Sequence, residues 1–201
     1  MLKIRLNLRI VVAIAICLTG FATMFAQETG VVINGVKWAT RNVDAPGTFA
    51  EKPESPGMFY QWNRNIAWAS SGSITDWDSS YPNGSVWEKD NDPSPEGWRV
   101  PTDEEFRKLL NAEKVDRRSE NVNGAFGYRF TDKETGNSIF FPFVGMRISE
   151  QYGALSTANC GYWSSTQDDS HMADAILIIA NGIIRINGLR NNGLLVRCVA
   201  Q

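Results

Sequence analysis

Histidine is all but missing from this chain. His171 is the only one, set in the polar run Asp168-Asp169-Ser170-His171. Its scarcity removes histidine-based metal sites and leaves a nucleophile without its usual proton acceptor. Ser164 and Ser165 follow an aromatic pair, a place that suits backbone hydrogen bonding, and no Gly-x-Ser-x-Gly elbow surrounds them. Cysteine is nearly as scarce: Cys17, Cys160 and Cys198 occur, with no Cys-x-x-Cys pair. That excludes zinc ribbons and thioredoxin-type redox motifs. Beyond residue 26 there is no apolar run long enough to cross a bilayer. Basic residues are outnumbered as well, 20 against 22 acidic ones. No internal repeat or low-complexity segment stands out.

The first 26 residues are a different material from the rest. Lys3, Arg5 and Arg9 form a basic head, an apolar run covers 10–18, and Ala22 and Ala26 are small residues suited to cleavage before Gln27. We expect residues 1–26 to be a signal peptide and 27–201 to be one domain. Ile16 precedes Cys17 where lipid-attachment motifs want a small residue, so no lipid anchor is expected. Without those three basic residues the remainder holds 17 basic and 22 acidic residues, a net charge of −5. Nucleic acid and anionic membrane surfaces are poor partners for such a chain. In an oxidising compartment the two remaining thiols, Cys160 and Cys198, are expected to pair. The bridge would close a loop of 38 sequence steps, for which chain entropy gives about 3–4 kcal/mol.

The strongest local signal is Gly97-Trp98-Arg99-Val100-Pro101-Thr102-Asp103-Glu104-Glu105-Phe106. Thr102 is a good N-cap and Glu105 completes a capping box. Asp103 and Glu104 favour the positive end of the helix dipole, and Phe106, Leu109 and Leu110 share one face. Upstream, Asn34-Gly35 between Val31-Val32-Ile33 and Val36-Lys37-Trp38-Ala39 reads as a hairpin. Residues 42–56 read as a loop, 58–62 as a strand and 63–69 as a short amphipathic helix. Residues 70–96 form a long polar loop carrying Trp77, Tyr81 and Trp87, and loops of that length are functional or disordered. Residues 113–124 read as a second polar connection. Strands are expected over 126–130, 138–144, 161–165, 173–180, 183–187 and 194–199, with Asn181-Gly182 as a hairpin turn.

Five pieces, in order, resemble the Fibrobacter succinogenes major paralogous domain, a family of exported bacterial domains. They are Gly35-Val36-Lys37-Trp38-Ala39-Thr40-Arg41-Asn42, Gly57-Met58-Phe59-Tyr60-Gln61-Trp62, the 97–106 stretch, Gly161-Tyr162-Trp163-Ser164-Ser165-Thr166 and Val196-Arg197-Cys198-Val199. The resemblance spans about residues 35–199. The Arg99-Val100-Pro101-Thr102 helix start, the Tyr-Trp-Ser-Ser strand and the Arg-Cys ending are also similar to C-type-lectin-like folds, formylglycine-generating enzymes among them. This implies an α+β fold with two short helices, over 63–69 and 103–112, a twisted antiparallel sheet and long loops. The enzymes of that group use a reactive cysteine pair close together near the C-terminus, and Cys160 and Cys198 lie far apart.

Two sets of loop residues remain. Asp76-Trp77-Asp78-Ser79-Ser80 and Asp90-Asn91-Asp92 place oxygen ligands near one another, as calcium needs. The Gly and Glu of an EF-hand are missing, and of the lectin calcium signatures only Tyr81-Pro82-Asn83 is a partial echo. No cofactor is expected, and calcium is the one ion for which the loop holds ligand types. Trp77, Tyr81 and Trp87 are either anchors for the loop or a platform for a sugar ring or a protein surface. They are the candidate ligand-binding residues. The expected function is an exported, non-catalytic binding module at or outside the cell envelope, its partner an extracellular glycan or protein. A structural or tip subunit of a surface fibre is the alternative, and a formylglycine-generating-like enzyme is disfavoured.

Overall fold

A computed structural model describes residues 28–148, 159–179 and 181–201. The expected signal peptide, with Cys17, lies outside the described residues. Ten strands and one α-helix are described: β1 (Val31–Ile33), β2 (Val36–Trp38), β3 (Trp98–Arg99), α1 (Asp103–Leu109), β4 (Val115–Val122), β5 (Ala125–Asp132), β6 (Ser138–Pro142), β7 (Cys160–Gln167), β8 (Met172–Ile179), β9 (Gly182–Leu189) and β10 (Val199–Ala200). They make three antiparallel sheets, in the orders β1-β2-β10-β3, β4-β5-β6 and β7-β8-β9. The α+β fold with two helices is therefore corrected to a mostly β architecture whose one described α-helix has seven residues.

The absent helix has a local cause. Asn63 takes a left-handed backbone, φ 54°, which an asparagine tolerates and a helix does not. The chain reverses there, and Phe59 and Trp68 exchange backbone hydrogen bonds, both 2.9 Å. The amide side chain of Asn63 then bonds the backbone of the following loop, the competition that keeps asparagine out of helix interiors. Residues 113–124 are corrected in turn. Most of that stretch is β4, joined to β5 by Asn123 and Gly124 at φ 50° and 91°. β1 and β2 are joined the same way through Asn34 and Gly35, φ 45° and 76°. Positive φ at both positions is the turn that matches strand twist.

α1 is built as its sequence dictates. Thr102 Oγ1 accepts from the Glu105 N–H at 3.3 Å, and Glu105 Oε2 accepts from the Thr102 N–H at 2.7 Å. Both carboxylate oxygens of Glu105 also receive Arg99, at 2.8 and 2.6 Å, which ties the cap to β3. Phe106 and Leu109 point into the core.

β7 and β8 are buried on both faces, which organises two apolar clusters. Cys160, Tyr162, Ile176 and Ile178 join Phe106, Phe130 and Phe141 on one side. Trp163, Ala173 and Ala175 join Tyr60, Trp62 and Trp87 on the other. Residues 194–199 meet β7 at Leu195 and pass on to β2, with their side chains divided between the clusters: Leu194, Val196 and Cys198 go one way, Leu195 and Val199 the other. Gly161 permits this approach, since a Cβ there would stand 2.6 Å from Leu194 Cδ2.

The same division corrects the expected disulfide. Cys160 and Cys198 are free and belong to different clusters. Cys160 Sγ donates to the Pro142 carbonyl at 3.4 Å and Cys198 Sγ to Ser94 Oγ at 3.0 Å. Burial pushes both thiols up, Cys160 to about 11, so neither is a ready thiolate.

Candidate functional site

The long loop is pinned to the body rather than draped over it. Arg190, which follows β9 and is 1% exposed, donates to the carbonyls of Gly84 at 2.8 Å and Pro82 at 3.3 Å. It also reaches Gln167 Oε1 at 2.9 Å and the Met172 carbonyl at 3.2 Å, and stacks 4.1 Å from the Trp62 ring. Gln61 holds the loop further upstream, donating to the Asp78 carbonyl at 2.6 Å. Arg64 pairs with Asp78 at 2.7 Å and with Ser80 Oγ at 2.8 Å. Asn63 donates to the Asn83 carbonyl at 2.8 Å and accepts from the Glu88 N–H at 2.7 Å. Gly84 has φ 100°, a backbone that favours glycine, and a Cβ there would also crowd Asn63 Nδ2 at 2.8 Å.

These contacts shape a cleft of about 450 Å³ lined by Asn63, Arg64, the 80–84 segment, Glu88 and Asn91. Its size is that of a small-molecule site, and its walls offer amide, guanidinium, hydroxyl and carboxylate groups. The three candidate aromatics take different places around it. Trp87 is 8% exposed, lies 5.7 Å from the Trp62 ring and donates Nε1–H to the Asn91 carbonyl at 2.9 Å. Trp77 is half-buried, 5.0 Å from Trp68, outside the cleft lining. Tyr81 is 40% exposed and lines the cleft, its ring edge-on to His171 at 4.5 Å. Of the three, Tyr81 alone combines exposure with a place in the wall.

Asp78 and Asp92 of the loop are occupied. Asp78 also accepts the Ser80 N–H at 2.9 Å, and the hydrogen bonds of Ser80 hold its carboxyl below the usual range. Asp92 accepts the N–H groups of Ser94 and Val100 at 2.8 and 3.1 Å. Among the described residues no group of three or more His, Cys, Asp or Glu side chains is gathered that could hold a metal ion. Ser164 is fully buried and accepts from the Thr166 N–H at 3.1 Å. His171 is exposed, with Ser170 Oγ at 2.8 Å from Nδ1. Serine and histidine are thus each engaged in local structure, and among the described residues no hydrogen bond joins them.

Asn63, Glu88 and Asn91 were not foreseen as site residues, since polar loop residues carry no spacing signal of their own. The signal that was available is the length of the loop together with its aromatics. Among the described residues no helix is long and apolar enough to cross a membrane. No curated protein and no solved structure matches the chain. The sequence pattern of the Fibrobacter succinogenes major domain matches residues 31–200, and the chain belongs to that family.

Proposed function

We propose that the chain is an exported, non-catalytic binding module and that the cleft beside Tyr81 takes a glycan. One observation carries the reading: an exposed tyrosine stands in the wall of a polar cleft whose loop is locked before any ligand arrives. A sugar ring offers an apolar face for stacking and hydroxyls for planar amide and carboxylate groups. Locking the loop in advance removes part of the ordering cost of binding. The side chains of Glu88 and Asn83 are exposed at the rim, where a sugar hydroxyl could reach them. Trp87 acts in this reading as the loop's apolar anchor. Export rests on the 1–26 pattern, and the reading places the module at or outside the cell envelope.

A fibre subunit would call for an open terminal strand. β10 instead lies between β2 and β3, and the edges of that sheet are the three-residue β1 and the two-residue β3.

The test is a glycan array with purified 27–201 chain, followed by calorimetry on the best binder. Tyr81→Ala should weaken binding at least tenfold, and Glu88→Gln severalfold, with the urea midpoint unchanged in both. Binding that survives both substitutions, or an array without a saturable binder, would overturn the assignment.

A further inference from the structure

A second cleft lies away from the long loop, between the β4–β5 hairpin and the start of β9. It measures about 380 Å³ and is lined by Arg117, Tyr128, Asn181, Gly182 and Ile183. The strand register explains how the first two meet. Arg117 pairs across with Phe130, and Ser119 with Tyr128. Directly opposed residues share a face of the sheet, and Phe130 is fully buried in the core. Arg117 and Tyr128 therefore stand on the same, core-facing side, at its outer margin.

The charges of β4 are unevenly paired. Asp116 meets Lys133 at 3.3 Å and Glu120 meets Arg129, both from the opposite face of the strand. Arg117 is exposed and has no ion pair or hydrogen bond among the described residues. Tyr128 is 9% exposed, and its hydroxyl likewise has no protein partner among them. A tyrosine this buried usually satisfies its hydroxyl. Here Tyr128 lines the cleft, and its hydroxyl is not among the buried atoms left unpaired, so it is open to solvent. The lining thus gathers a guanidinium fork, a phenolic O–H and the Asn181 amide, with no carboxylate to oppose them.

We propose that this cleft binds a carboxylate-bearing molecule of monosaccharide size, the chemistry of a hexuronic acid. The planar fork of Arg117 matches a carboxylate in two parallel hydrogen bonds. Tyr128 supplies a further O–H donor. The volume lies within the range of small-molecule sites, about 300–1,000 Å³, and is more than a lone oxyanion fills. Ile183 supplies an apolar wall for the carbon skeleton. The site is separate from the Tyr81 cleft, so either assignment can fail alone.

Calorimetry and amide NMR titration of the 27–201 chain with glucuronate, glucose and inorganic phosphate decide it. Glucuronate should bind saturably and shift the amides of 117–119 and 181–183, while glucose shifts none of them. Arg117→Gln should weaken glucuronate at least tenfold. Tyr128→Phe should weaken it severalfold with an unchanged urea midpoint, because the lost hydroxyl bonds nothing in the protein. Tyr81→Ala should leave it unaffected. Absence of glucuronate binding at millimolar concentration, or binding indifferent to Arg117→Gln and Tyr128→Phe, would overturn the proposal. Phosphate binding as tightly as glucuronate would overturn the ligand class.

Discussion

Replacing Arg190 with methionine tests how much of the long loop's attachment rests on this one side chain. Arg190 joins four acceptors, the carbonyls of Pro82, Gly84 and Met172 and Gln167 Oε1, at 2.8–3.3 Å. Each such bond is worth a net of about 1 kcal/mol, and the desolvated stack on Trp62 about 2 kcal/mol. Methionine keeps the packing and spares the cost of stripping water from a buried guanidinium. That refund is several kcal/mol in principle, and we take it as about half the loss. The expected destabilisation is about 3 kcal/mol. Most of it should appear as local opening. Hydrogen exchange should quicken at 80–88 by more than at β7 or β8, because the loop carbonyls can turn to water while the sheets stay paired. Arg190→Lys separates charge from shape: an ammonium keeps the charge but cannot span four acceptors. Lysine should destabilise at least as much as methionine. An unchanged urea midpoint for Arg190→Met, exchange that quickens uniformly, or full rescue by lysine would each refute the reasoning.

Thr102→Ala should cost about 1 kcal/mol in urea denaturation, the usual worth of a side-chain N-cap. The 27–201 chain should show two unreactive thiols when native and two alkylated thiols once denatured without reductant, read by mass spectrometry. A linked 160–198 peptide would contradict the free pair. Acid should remove stability below the ordinary glutamate value of 4.5. Burial raises Glu105, but hydrogen bonds from Arg99 and Thr102 overcome it. Glu28 behaves alike, with Arg41 and Thr40 as donors. A carboxyl lowered in the folded state contributes above its unfolded pKa and is lost as pH falls through the folded one. Glu105→Gln should therefore flatten the stability curve in that window and nowhere above it.

The elements legible in the sequence are those whose signals are local. A capping box needs only residues 102–105, and the Asn34-Gly35 hairpin needs only the β-prone triplets beside it. β4 was hidden because Asp116, Arg117, Arg118, Ser119 and Glu120 show no apolar alternation. A strand at a sheet edge with most of its surface wet has no reason to show one. Its Asn123-Gly124 turn was the available clue. The 63–69 segment misled in the other direction: its apolar spacing suits a helix, but a left-handed Asn63 turns the chain back so that Trp68 faces Phe59. The cysteines misled because spacing says nothing about which face of a layer a residue meets. For the candidate site, the loop and its aromatics were legible. Arg190, one of the residues that fix the loop, lies about a hundred positions further on and could not be linked to it from the sequence.

What replaces a disulfide in a chain built from small sheets is a set of buried arginines. Arg147, Arg190 and Arg197 are among the largest fully buried side chains. Arg197 donates to Asn42 Oδ1 at 2.9 Å and to the carbonyls of Ala39 and Phe140 at 3.2 and 3.1 Å, over the Phe141 ring at 4.6 Å. Arg147 donates to the carbonyls of Ala69 and Gly72 at 2.8 and 2.9 Å. The acceptors are mostly backbone carbonyls of segments outside regular strands. Such carbonyls lack ladder partners and are costly to bury unpaired. A lysine can meet them only as a point charge, whereas a guanidinium meets several in a fixed geometry. The burial that pulls the Arg197 pKa below its usual value is the cost of this arrangement, and a planar stack on an aromatic ring offsets part of it. The gain is a loop surface held in one shape without a covalent bridge, which is the condition a preorganised cleft requires.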